Sequence, residues 1–73
     1  MGSDHCLPHE FTAFDYRDDS KAYSVELFED AGRLFMRIGL SGEPPNARLT
    51  LEFSRDNAHT FADGAQQLAT RLI

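Results

Sequence analysis

The stretch A-Y-S-V-E-L-F-E-D-A-G-R-L-F-M-R-I-G-L, residues 22–40, carries the clearest pattern in the chain. Over Ala22–Phe28 the apolar Tyr23, Val25 and Leu27 alternate with Ser24 and Glu26. Over Arg33–Leu40, Leu34, Met36, Ile38 and Leu40 alternate with Arg33, Arg37 and Gly39. Successive side chains of a strand point to opposite faces, so this period of two predicts two half-buried strands. Glu29–Asp30–Ala31–Gly32 between them then closes a hairpin. A four-residue loop with Gly32 in the left-handed conformation would pair Leu27 with Leu34, whereas a two-residue Ala31–Gly32 turn would pair Leu27 with Met36. Both registers keep the same residues on the same face, because only a one-residue slip inverts a strand.

Outward from the hairpin, Ser41–Ala47 (S-G-E-P-P-N-A) reads as a loop, with two prolines that cannot donate to a ladder. Pro44–Pro45 is too short for a recognition motif and stiffens that loop. Arg48–Phe53 alternates again, Leu49, Leu51 and Phe53 one way and Arg48, Thr50 and Glu52 the other. On the N-terminal side, Glu10–Tyr16 is rich in aromatics and predicts a further strand, with Phe11 and Phe14 on opposite faces. Arg17–Lys21 (R-D-D-S-K) is a polar cluster of turn-forming types that separates it from the hairpin.

From Ser54 the period changes from 2 to 3.6. Ala58, Phe61, Ala62, Ala65, Leu68, Ala69 and Leu72 follow helical spacing and fill an arc of about 120°, a core-facing stripe. Ser54 is the expected N-cap, with Asp56 in the first turn, Arg71 in the last, and the helix running close to Ile73. The fold class that results is α+β: an antiparallel β-meander of three to four strands followed by one C-terminal amphipathic helix packed on one sheet face. Residues 9–73 form this single small domain, after a flexible N-terminal leader over residues 1–8.

The chain has 73 residues, a net charge of −5 and a hydrophobic content of 41%. A domain of this size buries about 60% of the surface its unfolded chain exposes, and a single core below roughly 70–80 residues often supplies no more than ~3–5 kcal/mol. Its one cysteine, Cys6, cannot form an internal disulfide, which leaves self-association as the common remedy. With no basic, apolar start and no apolar run near the roughly 18 residues that cross a bilayer, a cytoplasmic location without membrane contact is expected. The acidity is concentrated early: residues 1–20 hold Asp4, Glu10, Asp15, Asp18 and Asp19 against Arg17 alone. A net negative chain is repelled by polyphosphate, so nucleic acid is a disfavoured partner.

Cys6 and His9 have the C-x-x-H spacing that can chelate a metal, and His5 could add a third donor. A structural zinc centre needs four ligands and no fourth stands nearby, so no metal and no cofactor is expected. His59 falls on the polar flank of the helix. No G-x-S-x-G elbow, glycine-rich phosphate loop or H-E-x-x-H occurs, and the expectation is a protein without a catalytic site.

The sheet face away from the helix is the candidate interaction face. Phe28 and Phe35 stand there on adjacent strands among Arg33, Arg37 and Arg48, with Glu26 and Glu52 interspersed. An exposed aromatic patch marks a contact surface. Two such faces meeting in a homodimer would bury the phenylalanines inside a rim of Arg–Glu pairs, and another protein could take the same place. The rival is single-stranded nucleic acid, with bases stacked on the phenylalanines and phosphates held by the arginines. The mixed charge of the face ranks protein contact first. Cover of Phe28 and Phe35 by the first strand, the leader or a curled sheet edge would remove both readings.

Overall fold

The computed structural model describes residues 8–73, which form a four-stranded antiparallel meander followed by one helix. The strands are β1 (His9–Asp15), β2 (Asp18–Asp30), β3 (Arg33–Leu40) and β4 (Leu49–Phe53), and they lie in the sheet in chain order. Helix α1 spans Arg55–Ala69. All but one residue of the leader expected over residues 1–8 lies outside the described residues.

The β2–β3 hairpin adopts the two-residue turn. Ala31 and Gly32 have φ of 54° and 80°, both positive as the turn that matches strand twist demands, and Asp30 faces Arg33. From that closure Leu27 meets Met36, Val25 meets Ile38 and Phe28 meets Phe35. The Glu29 carboxylate accepts a hydrogen bond from the Gly32 N–H at 2.7 Å and ties the turn to β2. Continuing through β3 and β4, Leu34 meets Phe53, Met36 meets Leu51 and Ile38 meets Leu49. Through β1, Phe11 meets Val25 and Ala13 meets Tyr23, while Phe14 meets Ala22 on the other side. One face of the sheet is therefore apolar and the other polar and aromatic.

The β1–β2 connection is tighter than the sequence predicts. The sequence predicts a turn over Arg17–Lys21, yet only Tyr16 and Arg17 turn and Asp18–Lys21 extends β2. The Asp15 carboxylate accepts from the Arg17 N–H at 2.7 Å, closing the chain within two residues. Both faces of that end of β2 are exposed, so its polar residues cost nothing in the ladder. Between β3 and β4, Ser41 N–H bonds back to the Ala22 carbonyl at 2.9 Å, and Pro45–Ala47 forms a single 3-10 turn.

Ser54 caps α1 as expected, its hydroxyl accepting from the Asn57 N–H at 3.2 Å, with Asp56 in the first turn. The helix ends at Ala69, short of Ile73, and Arg71 lies beyond it. Helix α1 meets β3 and β4, with Phe61 against Phe53 at a ring-centroid distance of 5.5 Å. Its half-buried positions are Ala58, Phe61 and Gly64, and no helix residue is buried. The second half of the stripe read as core stands in solvent, with Leu68 65% exposed; Leu72, beyond the helix, is 78% exposed. The Cα radius of gyration is 14.0 Å. A compact chain of this length has about 11 Å.

Ala31 holds a left-handed conformation that costs a Cβ-bearing residue ~1 kcal/mol or more. Ala31→Gly or Ala31→Asn is expected to raise the urea or thermal midpoint, by several degrees for about 1 kcal/mol. Gly32→Ala, which places a Cβ at φ 80°, is expected to lower it.

Candidate functional site

The polar face brings together all seven residues that the sequence assigns to it. Phe28 and Phe35 sit directly across the hairpin, and their rings stack 5.2 Å apart with planes 12° from parallel. Above them the Arg37 guanidinium lies 4.7 Å from the centre of the Phe28 ring while Nη1 donates to Glu26 Oε1 at 3.0 Å. Arg37 faces Glu26 across the ladder, so the hairpin register itself supplies the pair. Stacking and cation–π contact each contribute about 0.5–1 kcal/mol at such partly exposed sites. Arg33 Nη1 donates to Glu52 Oε2 at 3.0 Å across β3 and β4, a more exposed pair.

Arg48 lies just before β4, and its side chain reaches across β3 to β2. Its Nη1 donates to Ser24 Oγ at 3.3 Å and its Nη2 to the Glu43 carbonyl at 3.2 Å. This crossing depends on Gly39, which faces Ser24 on the intervening strand. A Cβ there would meet Arg48 Cγ and would stand 3.0 Å from Arg48 Cβ. Arg48 Nε is buried without a partner. All three arginines of the face are thus engaged within the chain, and both phenylalanines are half-buried.

The opposite face has the reverse character. Val25 is the one buried residue among those described, at 8% exposure. Around it Leu27, Leu34, Met36 and Ile38 are half-buried. Further out, Phe11 is 50% exposed and Leu49 61%, and Leu40 and Leu51 are exposed too. Helix α1 seats Phe61 and Ala62 only at the end of this face where Leu27, Leu34 and His9 line a shared cleft. Alternation in the sequence puts these leucines on one face of the sheet, the face that the helix is expected to pack on. The signal that could have corrected this is the makeup of the helix stripe: three alanines and one large residue, Phe61, before Leu68. Such a stripe cannot cover four strands.

Of the possible metal donors, His5 and Cys6 lie outside the described residues. His9 opens β1 opposite Leu27, while His59 lines a cleft with Arg33, Glu52 and Arg55 at the start of α1. Among the described residues no three His, Cys, Asp or Glu side chains come together as a metal site. No described helix is long and apolar enough to cross a membrane. Neither a family model, nor a curated protein, nor a solved structure matches this chain.

Gly39→Ala is expected to cost about 1–2 kcal/mol in urea unfolding by pushing Arg48 off β3. Arg48→Ala added to it is expected to cost far less than Arg48→Ala alone, the coupling that a double-mutant cycle reads.

Proposed function

We propose that this chain is a non-catalytic protein-interaction domain that self-associates, and that the contact uses the apolar face shared by the sheet and α1. The observation that carries the reading is the contrast between one buried side chain, Val25, and the exposed Phe11, Leu40, Leu49, Leu51 and Leu68. Contiguous apolar surface beyond a few hundred Å² marks a contact site on a small protein. With Val25 the one buried side chain among the described residues, and still 8% exposed, the chain also lacks the core that stabilises a lone domain.

The sequence alone pointed to the Phe28–Phe35 face. The geometry favours the other side, because most groups of the polar face engage one another, Arg48 Nε excepted: stacked rings, Arg37 on Glu26, Arg33 on Glu52, Arg48 on Ser24. The same pairing removes support from single-stranded nucleic acid, since phosphate binding by these arginines would have to break contacts already made.

Light scattering on the intact chain tests the reading. The expected molar mass is twice that of one chain, falling to one chain for Leu49→Glu and staying doubled for Phe35→Glu. A thermal midpoint that rises with protein concentration is the expected companion. A wild-type mass of one chain at every concentration would overturn the proposal, and a mass that falls with Phe35→Glu alone would move the contact to the polar face.

A further inference from the structure

We propose, resting on self-association through the apolar face, that the C-terminal half of α1 from each copy lies across the sheet face of the other. Among the described residues each chain displays two apolar surfaces without cover, and they differ in form. One is a ridge: Ala65, Leu68 and Ala69 continue the stripe of Phe61 along the helix, with Leu68 65% exposed, and Leu72, 78% exposed, follows just past the helix end. The other is a floor, made by Leu40, Leu49 and Leu51 with Phe11 on the far side of Val25. A ridge on one copy and a floor on the next satisfy a two-fold contact, in which residue i meets j and j meets i.

Within one chain the ridge does not cover this floor. Phe61 is seated against Phe53 at the hairpin end of the sheet, and α1 runs unbroken from Arg55 to Ala69. Leu40 and Leu49 lie toward the opposite end of β3 and β4. Neither surface carries a charge: the ridge is alanine and leucine, and the floor between Phe11 and Leu49 is aliphatic. Ala65 and Ala69 flank Leu68 with small side chains, which lets the helix axis approach the sheet closely.

The area agrees. An aromatic side chain presents on the order of 150–250 Å² and a leucine lies toward the low end of that range, so the exposed parts of the five leucines and Phe11 sum to roughly 500–700 Å² per chain. A standard specific interface takes roughly 800 Å² from each partner. Two copies joined in this way would cover that apolar surface with a contact of ordinary size.

Complementation by mixing tests the arrangement. Leu68→Lys and Leu49→Glu each alter both contacts when alone, and each is expected to halve the mass in light scattering. Mixed in equal amounts, they leave one contact native and pair Lys with Glu at the other, so the doubled mass is expected to return. If both variants are single chains and the mixture stays so, reciprocal docking is overturned while self-association stands. If Leu68→Lys alone keeps the doubled mass, the docking is again overturned. A wild-type protein that never doubles overturns both proposals.

Disulfide capture gives a second measurement that does not rest on charged variants, in a Cys6→Ser background. Leu68→Cys copies mixed with Leu49→Cys copies are expected to give the mixed disulfide as the main product on mild oxidation. Homodisulfides alone would overturn the proposal.

Discussion

With Ala31 and Gly32 both at positive φ, Asp30 must face Arg33, and every cross-strand pair beyond follows from that closure. Phe28 stacks on Phe35, Glu26 reaches Arg37, and Val25 meets Ile38 because the turn contains two residues and no more. A slip of one would carry Phe28 and Glu26 onto the side where Val25 now lies. The sorting of the sheet into a polar and an apolar side is thus a backbone constraint, and a single alanine bears most of its conformational cost.

The two sides resolve their surfaces in different ways. On the polar side the chain is sufficient to itself: rings cover rings, carboxylates hold guanidinium groups, and the aliphatic stem of Arg48 lies in the gap left by Gly39. On the apolar side the helix arrives at one end and covers the Leu27–Leu34–Phe53 corner, leaving the rest to solvent. Alanine favours helix formation but brings little area, so the residues that make α1 stable as a helix make it a poor lid.

The meander, the helix, its Ser54 cap and the sidedness of nearly every strand residue were legible in the sequence, because period two and period 3.6 are properties of the side chains alone. At Ala31–Gly32 the sequence is compatible with two registers, since the apolar pattern is blind to a shift of two. The closure at Tyr16–Arg17 was hidden, because the bond from Arg17 N–H to Asp15 uses a residue already counted as strand. For the candidate site, the grouping of Phe28, Phe35 and the arginines was readable from alternation. Their mutual engagement was not, because it depends on distances of a few ångströms across three strands. The exposure of Leu49 and Leu68 was equally hidden: periodicity tells which way a side chain points, and says nothing of whether anything stands opposite.

The chain has no tryptophan and two tyrosines, and the fold sends them to contrasting places. Tyr16 stands on the β1–β2 turn, 99% exposed, whereas Tyr23 is half-buried on the apolar face between Ala13 and Leu40. One phenol stands in water and the other among the apolar side chains beside it. The two phenols therefore report on contrasting surroundings within one small fold, the open turn and the apolar sheet face.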